Sequence, residues 1–183
     1  MRKRLAEDTN KEIKIVTMTH SETSTGAVND IKTLCSIVKE HGALTVVDGV
    51  TSVCAMPVKP DEWGIDVLVS GSQKGFMIPP GLSFLVANEN AWKVYEECKH
   101  PSFYFNWGAY RKSVRANSTP FTPAVNLFTA LNAALKMIKD EGIENMNLRH
   151  KKHAMSLRSA VKAMNLELVV PDDKNASWAI TSI

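Results

Sequence analysis

The sequence predicts an α/β protein built on a mostly parallel sheet with helical crossovers. Three observations carry this expectation. Short apolar runs of strand length recur at 13–19, 43–47 and 65–69, a segment with helical spacing separates the first two, and Gly, Pro or polar turns bound each run. Parallel neighbours cannot be joined by a tight hairpin, so a helix-length segment between two buried strands is the mark of a crossover.

Taken in order, 13–19 reads as the first strand. Ile31, Leu34, Ile37 and Val38 then recur at helical spacing, with Asn29 or Asp30 as the cap and Gly42 as the stop. The run Ala-Leu-Thr-Val-Val at 43–47 is a buried strand, 65–69 is another, and 82–87 a further one. A helix is expected over about 89–98. The aromatic stretch 103–107 and the proline-rich 119–123 read as irregular connections. From Pro123 a long helix is expected, because proline suits a first helical turn and Val125, Leu127, Phe128, Leu131, Leu135 and Ile138 supply a broad apolar face; Gly142 ends it. A second helix over about 144–164 leads to a strand-like run at 166–170, and another strand starts at 178–183. There is no internal repeat.

Composition narrows the function classes. A chain of 183 residues with 44% hydrophobic residues suits one domain of ordinary size, or one and a piece of another. Lys and Arg exceed Asp and Glu only by 22 to 19, and the basic residues are scattered, which argues against nucleic acid. Cys35, Cys54 and Cys98 are odd in number and lack CxxC spacing; all three are read as reduced structural thiols, and no metal site is expected. The start MRKRLAEDTN has no apolar core, and no run of membrane-spanning length occurs. A soluble cytoplasmic protein without membrane or nucleic-acid partners is expected.

In parallel α/β sheets ligands gather at the carboxyl ends of the strands. Three polar clusters fall there: 20–26 (HSETSTG), 48–52 (DGVTS) and 70–74 (SGSQK). Each has a plainer reading beside the functional one. His20 packs at a strand end, Asp48 forms an Asx turn with Gly49, the hydroxyls serve turn chemistry, and Lys74 is a solvated loop lysine. A phosphate loop is disfavoured, because the GxxxxGK[ST] spacing is absent and Gly75 follows the lysine. A Ser-Lys hydrolase lacks a nucleophile elbow. The chemistry that fits best is a lysine forming a Schiff base with a carbonyl cofactor, with a carboxylate holding a pyridine nitrogen protonated. Lys74 and Asp48 supply that pair.

The runs HSETSTG, VVDGVTS and SGSQKGFMIPPG, in this order and at these separations, resemble the class V aminotransferases of the fold type I pyridoxal-phosphate enzymes, most of all the serine–pyruvate and alanine–glyoxylate branch. The resemblance covers nearly the whole chain. It implies that Lys74 binds the aldehyde of pyridoxal 5'-phosphate, Asp48 pairs with its pyridine nitrogen, Thr23 lies beside its phenolic oxygen and Gln73 lies on the phosphate side. Thr119 and Thr122, in TPFTP, both fall where the family reaches the phosphate of a neighbouring subunit; Thr122 is the candidate carried forward, and the choice between the two stays open. The implied reaction exchanges amino groups between a small amino acid, alanine or serine, and a 2-oxo acid, glyoxylate or pyruvate, with Lys74 as the base and a homodimer as the full-length assembly.

The same resemblance implies that residues 1–140 form the later part of the cofactor-binding large domain, and that 141–183 begin a small α+β C-terminal domain. In the family the large domain starts well before Ile13, with a phosphate turn and a stacking aromatic, and a carboxylate-binding arginine lies beyond Ile183; Arg111, Arg115 and Arg149 do not match it in position. The expectation is therefore an internal fragment, inactive alone. A cysteine desulfurase-like lyase and a non-catalytic remnant are the alternatives, the former weakened because Gln73 stands where a histidine would precede the lysine.

Overall fold

Asp30 starts the first long helix by accepting a hydrogen bond from the Thr33 backbone N at 3.1 Å, and Gly42 stops it in the left-handed conformation at φ 91°. That helix crosses over between two parallel strands, as the sequence spacing requires. The computed structural model describes residues 1–183 and places the elements in the order α1 (Arg2–Glu7), β1 (Ile15–Thr19), α2 (Ile31–His41), β2 (Leu44–Asp48), α3 (Pro60–Trp63), β3 (Val67–Gly71), β4 (Ser83–Ala87), α4 (Glu89–Glu97), α5 (Trp107–Arg115), α6 (Val125–Glu141) and α7 (Ile143–Ala163). The sheet order is β1-β2-β3-β4. The first three strands are parallel and β4 runs antiparallel to β3.

Register decides where the polar clusters end up. Thr19 pairs with Asp48, and Asp48 with Val69, so the three parallel strands finish at one edge of the sheet. The core lies between α2 and the sheet, where Ile31, Cys35 and Val38 meet Met18, Val47 and Leu68. One buried polar group ties the sheet together. The Asp66 carboxylate accepts from the Thr45 backbone N (2.9 Å), the Thr45 hydroxyl (3.0 Å) and Asn88 Nδ2 (2.8 Å), which satisfies it without a cation. At the start of the chain, Asp8 accepts from the backbone N of Glu12 and Ile13 and meets His41 Nε2 at 3.0 Å, fixing α1 against α2.

Several expectations need correction. The runs 166–170 and 178–183 are not strands. They share a single ladder-like bond, Val169 N to Ser182 O, and a strand needs a continued ladder. The aromatic stretch is irregular over 103–106 as expected, and only its last residue, Trp107, starts an unanticipated helix, α5, capped by Asn106, whose side chain accepts from the Ala109 backbone N at 2.8 Å. Cys35 and Cys54 are buried, but Cys98 is exposed at the end of α4 and has no packing role. The broad apolar face of α6 exists, yet only Ala134 and Ile138 on that helix are buried, and Val125, Phe128 and Leu135 are exposed. No helix is long and apolar enough to cross a membrane.

Candidate active site

The turn after β2 places Asp48. Its Oδ1 accepts from the Val50 backbone N at 2.9 Å, the Asx turn that the Asp-Gly pair favours, while Oδ2 has no partner within the chain. Gly49 is required by close approach, since a Cβ there would lie 2.8 Å from Val53 Cγ2 and 2.9 Å from Leu68 Cδ1. The backbone then winds back on itself through Ser52 N and Val53 N, both donating to Gly49 O, which carries Thr51 over the end of β2.

Thr23 arrives from the loop after β1 and lies with its Oγ1 2.5 Å from Thr51 Oγ1. The loop is held from outside by a much later part of the chain. Val28 N donates to Asn175 O at 2.9 Å, Ser177 N donates to Gly26 O at 2.8 Å, and Ser182 Oγ donates to Ser24 O at 3.2 Å. That later segment is itself anchored to α7, because the buried Arg158 donates to Asp173 Oδ1 (2.7 Å) and to Val170 O (2.8 Å).

Lys74 follows β3 in a turn organised by Ser72, whose hydroxyl donates to Pro79 O at 2.8 Å and whose backbone N donates to Leu82 O. The next residue has to be glycine, since a Cβ on Gly75 would overlap the Val53 carbonyl oxygen and crowd Cys54. Backbone contact between the two turns therefore sets the position of Lys74 against the one bearing Thr51. The Lys74 ammonium makes no hydrogen bond or ion pair within the chain. Gln73 is exposed, and its Oε1 would lie 3.1 Å from a Cβ on Gly71.

A cavity of about 360 Å³ opens beside Lys74 and Thr51. Its far walls are Arg149 and His150 from α7, and Ala179 and Ile180 from the terminal segment. Arg149 forms a two-point pair with Glu141, Nε to Oε1 at 2.6 Å and Nη2 to Oε2 at 2.8 Å, which holds the carboxyl of Glu141 below its ordinary range. Burial, then the charges of Arg149 and His153, push the His150 imidazole down. Neither residue of this pair of neighbours was singled out as a site residue by sequence reasoning. Seventy or more positions separate them from Lys74, and no local spacing signals the contact.

The structure thus brings Thr23 to Thr51 and Lys74 to the Thr51 cavity, with Asp48 at the same sheet edge. Asp48, Thr23 and Gln73 do not line that cavity. Thr119 and Thr122 lie on the exposed connection before α6, Thr119 donating to Phe121 O at 2.8 Å, and neither reaches the cavity. His20 takes the packing role. It is 5% exposed, its ring meets Trp63 edge-on with centroids 5.5 Å apart, its Nδ1 has no partner, and burial pushes its pKa down to about 4.

An unpartnered amine, a carboxylate with one free oxygen and a hydroxyl pair lie at the carboxyl edge of a parallel sheet, the edge where α/β proteins gather ligands. The chain belongs to the class-V aminotransferase family, whose model matches residues 2–183. It is similar to the soluble hydrogenase 42 kDa subunit of Anabaena cylindrica, with 51% identity over 98% of this chain and 47% of that protein. It is also similar to the serine–glyoxylate aminotransferase of Arabidopsis thaliana, with 36% identity over 98% of this chain and 46% of that protein. Among solved structures, pyridoxamine–pyruvate aminotransferase from Mesorhizobium loti superposes with a TM-score of 0.90 at 29% identity, over 99% of this chain and 47% of the other. The chain spans about half the length of the curated relatives it matches.

Proposed function

We propose that this chain is part of a pyridoxal-phosphate-dependent aminotransferase that exchanges amino groups between alanine or serine and glyoxylate or pyruvate. Family membership and the names of its relatives support the reaction class. The observation that carries the reading is the Lys74 amine, which projects without a partner beside a cavity at the carboxyl edge of the sheet.

The residues present fit pyridoxal phosphate. Its aldehyde needs an amine free of ion pairs, and Lys74 is such a group. Its protonated ring nitrogen needs an anionic acceptor, and Asp48 can supply one through Oδ2 because only Oδ1 is engaged by the backbone. Thr23 offers a hydroxyl to the phenolic oxygen, and Gln73 with Thr119 or Thr122 would serve the phosphate. The bound cofactor supplies an electron sink that makes the Cα proton of an amino acid removable.

The chain's own groups then have defined tasks. Asp48, through the Oδ2 that the backbone leaves unengaged, would hold the ring nitrogen and favour its protonated form. Lys74, an amine free of ion pairs beside the cavity, would take the proton from the substrate Cα. Thr51 fixes the rotamer of Thr23 through their hydroxyl contact. In this reading residues 1–140 belong to the cofactor-binding domain, 141–183 begin the small domain, and a homodimer brings Thr119 or Thr122 to the partner's phosphate.

The test is chemical. The intact protein is incubated with pyridoxal phosphate, reduced with borohydride and mapped by peptide mass spectrometry, with alanine or serine and glyoxylate or pyruvate turnover measured in parallel. Label on Lys74 together with amino transfer supports the reading, and label confined to other lysines overturns it.

A further inference from the structure

We propose that a second cavity, between α7 and the segment 173–178, binds a phosphate group through Lys151, Arg158 and Lys174. Its volume is about 240 Å³, and it shares no lining residue with the cavity beside Lys74. The inference goes beyond the aminotransferase reading and does not depend on it.

Helix spacing builds one wall. Lys151, Ala154, Met155 and Arg158 stand at i, i+3, i+4 and i+7 on α7 and so share a face, with two apolar residues between two cations. The facing wall comes from the short turn Asp173–Asn175, which brings Asp173 and Lys174 to the cavity, and from Trp178 beyond it. Three cations against one carboxylate leave an excess of two positive charges. The carboxylate is already engaged. Asp173 Oδ1 meets Arg158 at 2.7 Å and Lys162 Nζ at 3.5 Å, and these contacts, the hydrogen bond from Arg158 first, hold the Asp173 carboxyl below its ordinary range.

Arg158 carries the argument. It is only 4% exposed; Nε donates to Asp173 Oδ1, Nη2 donates to the carbonyls of Val170 and Pro171, and Nη1 has no partner within the chain. Nη1 is not sealed from solvent either, since the only side-chain nitrogen and oxygen atoms buried without a partner are His20 Nδ1 and Asn147 Oδ1. A guanidinium fixed through two of its nitrogens thus leaves the third available where Arg158 lines the cavity. Lys151 Nζ lies 5.2 Å from the centre of the Trp178 ring, and neither Lys151 nor Lys174 is held in an ion pair, so both ammonium groups are free to turn to an anion.

The arrangement of donors selects the anion. The fork of Arg158 is occupied by Asp173 and the two carbonyls, which removes the planar two-point pairing that favours a carboxylate. What remains are N–H groups on three separate side chains, and the several oxygens of a tetrahedral dianion can accept from all three at once. Its charge also matches the excess on the walls. A cavity of about 240 Å³ has room for the first carbons of a phosphate monoester beside the phosphate group itself.

The test follows one resonance. The intact protein, first treated with pyridoxal phosphate and borohydride so that a cofactor phosphate site is filled, is titrated with inorganic phosphate, with glycerol phosphate, and with acetate at equal ionic strength. The indole N–H signal of Trp178, assigned through Trp178→Phe, is read by NMR. A saturable shift with phosphate is expected, with acetate at least about tenfold weaker and the phosphate midpoint raised at least about tenfold in the Lys151→Gln/Lys174→Gln double variant. Those substitutions leave the Arg158–Asp173 pair in place. A shift that does not saturate, an equal response to acetate, or a double variant that titrates like the unaltered protein overturns the proposal. Tighter binding of glycerol phosphate than of inorganic phosphate identifies a monoester as the ligand, and the reverse order identifies free phosphate. Failure of the aminotransferase reading shows separately, as absence of cofactor label on Lys74, and leaves this titration readable because Trp178 lines this cavity and not the one beside Lys74.

Discussion

Ser21 Oγ donates a 2.8 Å hydrogen bond to Ser177 Oγ, and both side chains are buried although 156 positions separate them. Ser177 also accepts from the Ala179 backbone N at 3.1 Å. The loop that presents Thr23 is therefore pinned by the last part of the chain. Replacing Ser177 by Ala leaves the Ser21 hydroxyl buried without its partner and is expected to cost about 1–3 kcal/mol. Chemical denaturation reads the loss, and hydrogen exchange should show faster exchange at Gly26 and Val28, whose amides close the loop. Unaltered exchange there would refute the pinning role.

Gly75→Ala is expected to displace the Lys74 turn. The added methyl collides with the Val53 carbonyl, a backbone atom that cannot rotate away. A cost of about 1–3 kcal/mol follows from overpacking, together with weaker borohydride-fixed labelling of Lys74 by pyridoxal phosphate. Wild-type stability and labelling would show that the two turns are free to move apart.

His20 makes stability depend on pH. Burial lowers its folded pKa to about 4, against 6.5 when unperturbed. The unfolded chain binds the proton first, so the contribution is complete above pH 6.5, falls as pH drops and is gone below about 4. The size is on the order of 3 kcal/mol. Denaturation curves at pH 7 and pH 4.5 should differ accordingly, and His20→Phe should flatten the part of that slope due to this ring.

Asp48→Ala tests the electron-sink role. Lys74 keeps its position, because its turn is set by Ser72 and Gly75, so cofactor labelling should persist. Amino transfer should fall by roughly two orders of magnitude or more, as expected when a charge partner of the reacting system is lost. Near-normal turnover would reduce Asp48 to its Asx-turn bond with Val50.

The helix and strand periods of the first half were legible in the residues themselves. Asp30 caps and Gly42 stops α2 through local backbone chemistry, and the crossover between β1 and β2 follows from length alone. The three polar clusters could be placed at one edge for the same reason, since parallel strands end their runs on one side. The second half was less legible. The runs at 166–170 and 178–183 have strand composition but find no continuous partner, and pairing is a property of neighbours, not of a segment. The helix α5 begins at the last residue of the aromatic stretch, where the Asn106 side chain caps it by accepting from the Ala109 backbone N.

By itself the sequence determined the α/β class, the strand-end positions of Asp48 and Lys74 and the motif set of the family, because each depends on residues close together in the chain. Tertiary structure alone decided that α7 brings Arg149 and His150 to the Lys74 cavity, and that Ser177 holds the Thr23 loop. It also turned His20 into a packed neutral ring against Trp63. Contacts between residues far apart in sequence carry no local period or spacing; they arise only when packing of the apolar faces fixes how the elements lie against one another.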